Sequence, residues 1–444
     1  MAGRTRDVAP FHLAWFTSFT APAWRSTFGG DTGTEWMTGE YYVSMARQLE
    51  RAGFDFMMFE DSTMVSEALG GTMEQDLKHS LHSPKLDPFP LLPLLAKATK
   101  HMGFIATGST SFYSPYILAR VMATMDHLTG GRIGWNIVTS SEDVAAQNYG
   151  MDALPPHDER YDRAEEFVQV VKALWDSWEP GAIVMNRETG HYADHTKVHR
   201  IDYRGKYHAS RGPLNMPAGP QGHPVLCQAG GSPKGRDFAA KHANAIVATN
   251  PNVEKMAAYR ADIRERAAKH GRDPDDVKVL FHAAPIIAET TEEAQAAYYR
   301  VFGMDDPLQI EQTLAMTAAV TEIDFFQYDL DAPMPQDLKT NGHQSVLDDF
   351  MKRNEGKTLR ESLGERLRLG PLLVGTVSEV ADQMEDIVAR TGGDGFLIRA
   401  ETGLSHTRRY IDEICSGLAP ELRRRGLIRS DYPNDLFKQN LLQF

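Results

Sequence analysis

The sequence predicts an α/β protein built on a (β/α)8 barrel, in which eight parallel strands close into a ring and helices cover the outside. Three observations support this prediction. Eight short apolar runs alternate with helical patterns along most of the 444 residues. Most of these runs are continuously apolar, which is typical of strands buried on both faces. The chain is 42% hydrophobic, which is enough apolar sequence for a large core.

The first four predicted strands lie in the first third of the chain. They cover residues 11–16, 54–59, 103–110 and 133–138. Helices are predicted from about 38 to 53 and over 89–102, 115–129 and 157–178, where apolar residues recur at helical spacing. The fourth strand is unusual because Asn136 interrupts its apolar run. A buried amide needs hydrogen-bond partners, which are often ligand atoms at the end of a barrel strand, although an ordinary core asparagine fits the same pattern.

The other four predicted strands lie in the second half of the chain. They cover residues 224–230, 245–249, 277–287 and 396–398. Helices are predicted to open at 231–236, to cover 253–269, 291–301 and 376–391, and to begin near Thr407. Thr376 and Glu379 form a capping box at one of these helix starts, and Gly392 is a stop signal for the same helix.

Three long stretches interrupt the alternation, at about 62–87, 181–222 and 303–370. Because the alternation resumes after each of them, we expect a single domain over residues 1–444 with three insertions. The stretch 62–87 has no clear periodicity and is predicted to be a long loop, which in a compact domain is often a lid. The stretch 303–370 is a second candidate for a lid.

Charge and composition exclude several functional classes. The net charge of −13 provides no basic field to hold nucleic acid or an anionic membrane. No segment approaches the ~20 apolar residues of a membrane-spanning helix, and the start of the chain lacks the pattern of a signal peptide. Cys227 and Cys415 form neither a metal spacing nor a disulfide framework, which suits a reducing compartment. We therefore expect a cytoplasmic protein.

Polar residues that follow predicted strands are the site candidates, because ligands bind at the C-terminal ends of barrel strands. These candidates are Asp61, Thr107, Asn136, Thr139, Ser140, Gly231 and Ser232. Asp61 could act as a base, as a metal ligand or as an acceptor for a ligand N–H. A single structural carboxylate fits the same pattern, so its role stays open at this stage.

Two further features indicate a site for a phosphate. Gly231 and Ser232 stand where a strand meets a helix start, and the exposed N–H groups and dipole of such a start favour an anion. A plain serine N-cap followed by proline at the first helical position fits equally well. His157 and Tyr161 are spaced i, i+4 at another helix start and should share a face, where they could hold a phosphate or a sugar or simply cap the helix.

A metal site is not expected. His191, His195 and His199 repeat at four-residue steps, which on a helix would form a metal-binding face, but glycine and aspartate in this stretch argue against a helix. The sequence contains no HExxH, CxxC or GxSxG motif, so the common zinc, redox and serine-hydrolase sites are absent.

Several long motifs occur in one order along the chain. They are Glu60-Asp61-Ser62, then ATGST, GGRIGWNIVTS, PPHDERYDRAEEF and RGPLNMPAGPQGHPVLCQAGGSPKGRDFA. In this order they resemble the bacterial-luciferase-like superfamily of flavin monooxygenases, over about residues 10–430. The similarity is greatest to the branch that holds nitrilotriacetate, dibenzothiophene-sulfone and long-chain alkane monooxygenases.

The resemblance implies a luciferase-like TIM barrel that binds reduced FMN, supplied by a separate NAD(P)H-dependent flavin reductase. The FMN would react with O2 to give a flavin peroxide that oxygenates a small organic substrate, such as a xenobiotic containing sulfur, nitrogen or halogen. A homodimer or homotetramer is expected. Around the isoalloxazine and ribityl chain, the resemblance places Asp61, Thr107, Asn136, Thr139 and Ser140. At the ribityl end and the phosphate, the resemblance places His157, Tyr161, Gly231 and Ser232.

The chain departs from this family in the loop after the first strand. Members often carry a histidine or asparagine ahead of a Trp-Arg pair, whereas here residues 16–23 contain neither before Trp24 and Arg25. No side chain is therefore assigned as catalytic. The aromatic residues Phe16, Phe19 and Phe28, with Trp24, instead suit an apolar or aromatic substrate. The alternatives are a deazaflavin-dependent oxidoreductase on the same fold, a metal-dependent barrel hydrolase and a non-catalytic flavin-binding protein.

Overall fold

The computed structural model describes residues 8–21, 34–303, 305–340, 344–365, 370–399 and 407–444. Eight parallel strands form a closed barrel, as the sequence predicts. In chain order, the first to eighth barrel strands are His12–Ser18, Phe56–Glu60, Gly103–Ser109, Ile133–Val138, Val225–Gln228, Ala245–Ala248, Lys278–Ile287 and Gly395–Ile398. Each pairs with the next, and the eighth pairs with the first, which closes the ring.

Helices cover the outside of the ring. The principal ones are Glu40–Ala52, Leu91–Ala98, Pro115–Thr129, His157–Trp175, Pro233–His242, Val253–Lys269, Thr291–Phe302, Val377–Thr391 and Ala419–Arg424. The capping box of Thr376 and Glu379 is present, and Gly392 ends the same helix in the left-handed conformation. The helix that begins at His157 ends three residues earlier than predicted. Its last predicted residue, Trp178, instead donates its indole N–H to the Leu214 carbonyl in the second insertion.

Alternate residues of each strand point into the ring or out towards the helices. The outward side chains, such as Trp15, Phe104 and Trp135, pack in the main core between the strands and the helices. The inward side chains form a separate small apolar core. Its strand members are Ala14, Phe56, Met58, Ile105, Val225, Cys227, Ala245, Val247, Leu280 and Leu397. The barrel interior is therefore filled by side chains and is not a pore.

The C-terminal segment closes the N-terminal end of the barrel. Phe437 and Leu441, from the helix Phe437–Leu441, are fully buried within the inner core. Gly103 makes this contact possible, because a Cβ at residue 103 would lie 2.4 Å from the Phe437 ring. Beside them Asp55 receives hydrogen bonds from the Arg429 guanidinium, at 2.9 Å from Nε, and from the backbone N–H of Leu13.

Two predictions about the insertions need correction. The stretch 62–87 contains the helix Glu74–His79, whose buried residues are Gln75, Asp76 and His79. Because that buried face is polar, the segment shows no apolar periodicity. The third insertion is followed by a strand that the sequence did not predict, Leu372–Gly375, which pairs with the upper part of the seventh strand outside the ring.

The three insertions contain their own regular structure. The second forms two short hairpins, Ile183–Asn186 with His191–Ala193 and Tyr203–Arg204 with Ala209–Ser210. The third includes the helices Pro307–Thr321, Gln344–Arg353 and Leu359–Glu365. Side chains from the first and third insertions share one apolar cluster, with Leu69 packed among residues such as Leu314 and Phe350. No helix in the part of the chain described above is long and apolar enough to cross a membrane.

Candidate active site

Most of the predicted site residues lie at the C-terminal mouth of the barrel. Asp61, Thr107 and Ser140, from the second, third and fourth strands and their loops, line one cleft. Val138 also lines the cleft, so the residues on both sides of Thr139 do so. Thr139 itself is buried, and its carbonyl accepts a hydrogen bond from the Ser111 hydroxyl.

Asn136 is buried but only half satisfied. The Thr107 hydroxyl donates to the Phe59 carbonyl at 2.8 Å, so its oxygen can only accept from Asn136 Nδ2, which lies 2.9 Å away. This chain of bonds fixes the orientation of the amide. The other amide atom, Asn136 Oδ1, has no hydrogen-bond partner among the residues that the structure describes. The view of Asn136 as a core asparagine satisfied within the protein is therefore wrong for its oxygen, and a buried acceptor is available to a ligand N–H.

Ser140 takes a strained backbone conformation at the edge of the cleft. Its φ of 58° lies in the left-handed region, which is unusual for a residue other than glycine. Its hydroxyl forms a hydrogen bond of 2.8 Å with the Ser109 hydroxyl from the neighbouring strand. Strain of this kind is often found at functional sites. The two serines together present hydroxyl groups to the cleft.

Two adjacent carboxyl groups at the end of the second strand, those of Glu60 and Asp61, have pKa values that are shifted in opposite directions. Burial would raise the pKa of Glu60, but Lys85 Nζ at 2.8 Å and the Ser18 hydroxyl at 2.7 Å bring it below its ordinary value. Burial and the charge of Glu60 raise the pKa of Asp61 to about 7. Asp61 can therefore change protonation state near neutral pH, which an isolated structural carboxylate would not do.

The predicted phosphate site is assembled around one helix start. His157 and Tyr161 share a face, with ring centroids 5.1 Å apart. Ser232 is the N-cap of the helix Pro233–His242, and its hydroxyl accepts from the Gly235 N–H at 3.0 Å. The interpretation of Ser232 as an ordinary N-cap is thus correct, and it is compatible with an anion at the same place. A Cβ on Gly235 would lie 2.6 Å from the Tyr161 hydroxyl oxygen, so glycine there lets Tyr161 reach the helix start beside Ser232.

Gln228 contacts Tyr161 at the predicted phosphate site, and it was not among the predicted site residues. Its Nε2 donates to the Tyr161 hydroxyl at 3.3 Å, while its Oε1 is buried with no hydrogen-bond partner among the described residues. Gln228 ends the fifth strand and pairs in register with Ile137 of the fourth. Like Ile137 it faces the helices, whereas Asn136 pairs with Cys227 and faces the barrel interior. The signal was present in the sequence, because Gln228 is a polar residue in an apolar run, as Asn136 is.

An aromatic pair at the cleft has no comparable signal in the sequence. Phe112 and Tyr149 both line the cleft and stack with centroids 4.4 Å apart, although they lie 37 positions apart in the chain. Of the aromatics expected to contact substrate, Phe16 faces the barrel interior. Phe19 instead packs edge-on against Trp36 in the main core. The expected contacts of Trp24, Arg25 and Phe28 fall outside the described residues.

The histidine repeat does not form a helical face. His191 lies in a hairpin strand, His195 in a 3-10 turn, and His199 pairs with Glu179 at 2.6 Å. Within the described ranges, no group of three or more histidine, cysteine, aspartate or glutamate side chains could hold a metal ion. The candidates for ligand binding are thus hydroxyl, amide and carboxyl groups around the cleft.

Known proteins resemble this chain in sequence and in fold. The profile of the luciferase-like monooxygenase family matches residues 11–395. The chain is 34% identical to dibenzothiophene-sulfone monooxygenase of Rhodococcus erythropolis, over 99% of this chain and 96% of that protein. It is 37% identical to nitrilotriacetate monooxygenase component A of Aminobacter aminovorans, over 90% and 89% of the two chains. The crystal structure of a riboflavin lyase with modified FMN and its substrate riboflavin superposes with a TM-score of 0.86 at 32% identity, covering 98% of this chain and 96% of that one.

Proposed function

The chain belongs to the luciferase-like monooxygenase family, and from that premise we propose that it is the oxygenating component of a two-component system. In this proposal it uses reduced FMN and O2 to insert one oxygen atom into a small organic substrate. A separate NAD(P)H-dependent flavin reductase supplies the reduced FMN. The name of one relative, nitrilotriacetate monooxygenase component A, supports a division of labour between two proteins. Self-association as a homodimer or homotetramer is part of the same proposal.

The observation that carries the proposal is the pair of unpartnered buried acceptors on neighbouring strands. Asn136 Oδ1 faces the barrel interior and Gln228 Oε1 faces the helices near the C-terminal ends of their strands, and each lacks a hydrogen-bond donor among the described residues. A buried acceptor without a donor costs roughly 1–3 kcal/mol, so such atoms are expected to find partners in a ligand. A flavin fits, because its ring system carries an N–H group and its ribityl chain carries hydroxyls, and both can donate to these atoms.

The phosphate end of FMN fits the helix start at Ser232. The first N–H groups of a helix lack intrahelical acceptors, and the helix dipole favours a negative charge there. Burial raises the pKa of Tyr161, so its phenol stays protonated and can donate to a phosphate or ribityl oxygen. In this proposal Asp61, Thr107, Asn136, Thr139 and Ser140 surround the ring system and upper ribityl chain. His157, Tyr161, Gly231 and Ser232 hold the lower ribityl chain and the phosphate.

Reduced FMN, when bound, supplies the activation of O2 that the protein side chains cannot perform. The chain contributes binding, orientation and the exclusion of water. The first insertion is anchored at the mouth, because Lys85 Nζ donates to Glu60 Oε2 and, at 2.6 Å, to Ser62 Oγ. The third insertion packs on the first, with Lys78 Nζ 2.5 Å from Glu311 Oε1. In this proposal the two insertions form the lid.

The lid has a direct test. Lys85→Met removes its anchor at Glu60 and should raise the amount of H2O2 released per reduced FMN consumed, since water then reaches the activated oxygen. Lys269→Met, which removes an exposed pair on an outer helix, is the matched control. An unchanged H2O2 ratio in Lys85→Met would refute the role of this segment.

The cofactor site is tested by Ser232→Asp. Aspartate caps a helix as well as serine does, so the helix is retained while a negative charge is placed beside the phosphate. FMN affinity, measured by fluorescence titration, should fall by about tenfold or more, equivalent to at least ~1.4 kcal/mol. Ser232→Asn, an uncharged capping residue, should bind FMN nearly as well as the natural chain. Equal affinity in Ser232→Asp would rule out this placement of the phosphate.

The activity itself is tested by adding FMN, a flavin reductase and NADH to the chain with a panel of organosulfur, amine and aromatic compounds. The expected product gains one oxygen atom, measured by mass spectrometry, and forms only when O2 is present. Turnover that is independent of O2 would favour a deazaflavin-type oxidoreductase instead.

A further inference from the structure

One buried polar residue at the mouth has no role in the proposed cofactor site. His282 is on the seventh strand, two residues after Leu280 of the inner core, so its side chain points into the ring. In register it pairs with Leu397, the second-last residue of the eighth strand. The sixth strand ends beside Phe281. His282 therefore stands in the top layer of the barrel interior, at the level where the neighbouring strands end.

An aromatic side chain packs against His282. The rings of His282 and of Phe16, on the first strand, form an edge-to-face contact with their centroids 5.1 Å apart. His282 is only 5% exposed, and its Nδ1 is buried with no hydrogen-bond partner in the described part of the chain. Burial, with a smaller contribution from the positive charge of Arg399, lowers the pKa of His282 to about 3. The imidazole is therefore neutral at physiological pH.

The position of His282 separates it from the cofactor residues. Those residues come from the second to fifth strands and their loops, whereas His282 and Phe16 come from the seventh and first strands. The two sets occupy opposite halves of one barrel mouth. A molecule that fills the half beside His282 would lie next to the cofactor, which is where a substrate must lie to receive oxygen.

We propose that His282 forms a hydrogen bond to one neutral polar group of the organic substrate, and that the preferred substrates are largely apolar molecules with such a group. The inference rests on the proposed function, because it assumes that the cofactor occupies the other half of the mouth. The unpartnered imidazole nitrogen would form the hydrogen bond to the polar group of the substrate. Phe16 and Leu397 would contact the apolar part of the substrate. His282 is then a specificity-determining residue.

The test uses matched probes that differ in one polar group. These are dibenzothiophene with its sulfone, and naphthalene with 2-naphthol and 2-naphthoate. Dissociation constants are measured by equilibrium dialysis with the FMN-loaded chain. The natural chain should bind the neutral polar member of at least one series about tenfold more tightly than the apolar member, as expected for one buried hydrogen bond.

Three variants separate a hydrogen bond from packing. His282→Leu should bind both members of a pair about equally, because the polar partner is gone. His282→Asn should keep most of the preference, because its amide can occupy the region of Nδ1. Phe16→Leu should weaken the binding of both members and leave their ratio unchanged. In the absence of ligand, His282→Leu should unfold at a temperature no lower than that of the natural chain, since Nδ1 has no partner to lose.

The outcomes distinguish this inference from the proposed function. If FMN fails to bind to the natural chain, the proposed function fails. If FMN binds but no probe series shows a preference for the neutral polar member, the inference is overturned. The same conclusion follows if His282→Leu keeps the preference, if 2-naphthoate binds most tightly, or if His282→Leu lowers the unfolding temperature while its probe ratios stay unchanged.

Discussion

The two ends of the barrel differ in the hydrogen bonding of their buried polar groups. At the N-terminal end, Asp55 accepts hydrogen bonds from Arg429 and from the backbone of the first strand, and His12 Nδ1 lies 3.0 Å from its Oδ1. At the C-terminal mouth, Asn136, Gln228 and His282 each have a buried atom that forms no hydrogen bond with any described residue. The same strands contribute to both ends. The paired end stabilises the fold, and under the proposed function the unpartnered atoms at the mouth bind the ligand.

The largest effect should come from breaking the paired end. Asp55→Asn leaves the Arg429 guanidinium buried without a counter-charge, since both side chains are only 2% exposed. Removal of one partner from such a pair costs about 3–5 kcal/mol. The free energy of unfolding in urea should fall by that amount, while FMN affinity of the folded protein stays unchanged. Lys269→Gln, from an exposed pair, should leave the urea midpoint where it is. A loss of FMN affinity as large as the loss of stability would contradict the division between the two ends.

A smaller effect is expected from overfilling the same end. Gly103→Ala places a Cβ 2.4 Å from the ring of Phe437, which is fully buried and cannot move away freely. Overpacking of this kind costs about 1–3 kcal/mol. The variant should also expose the C-terminal segment to proteolysis. The double variant Gly103→Ala with Phe437→Leu should recover part of the lost stability. Additive losses would show that the two residues do not compete for the same space.

At the mouth, a substitution should change FMN affinity more than it changes the free energy of unfolding. Asn136→Ala removes one hydrogen bond to Thr107 but also removes the unpartnered Oδ1. The two changes largely offset each other, so the free energy of unfolding should change by less than about 1 kcal/mol. FMN affinity should fall by about tenfold. Paired urea and fluorescence titrations measure both quantities, and a variant that is strongly destabilised but binds FMN normally would show that Asn136 is structural.

The same contrast explains what could be predicted from the sequence. The barrel strands were predictable because both of their faces are buried and they read as continuous apolar runs. Asn136 could be noticed because it breaks one of those runs, and Gln228 and His282 carry the same signal on the fifth and seventh strands. The pairing of Asp55 with Arg429 was not predictable, because the two residues are 374 positions apart and meet only once the ring has closed.

The first insertion, the strand after the third insertion and the loop at Ser140 were harder to predict for a different reason. The helix Glu74–His79 buries polar residues, so no apolar period indicates it. The strand Leu372–Gly375 adds to the seventh strand outside the ring, and a count of eight strands leaves no place for it. The φ of 58° at Ser140 is a product of tertiary constraints and has no signature in the local sequence.

An effect on stability that depends on pH should come from Asp61. Burial and the nearby Glu60 raise the pKa of Asp61 to about 7 from 3.8. A raised pKa stabilises the fold fully below pH 3.8, and this contribution is lost as the pH rises through 7, because the buried carboxyl must then ionise. The unfolding temperature of Asp61→Asn relative to the natural chain should therefore be higher at pH 8 than at pH 5.

Thermal unfolding at the two pH values measures this difference, and Asp331→Asn, at an exposed pair with Arg360, should show no such trend. FMN binding sharpens the prediction. If the ionised Asp61 accepts a hydrogen bond from the flavin, FMN affinity of the natural chain should increase between pH 6 and pH 8, and this increase should be absent in Asp61→Asn. A pH profile of FMN affinity that is the same in both chains would show that the ionised Asp61 does not accept a hydrogen bond from the flavin.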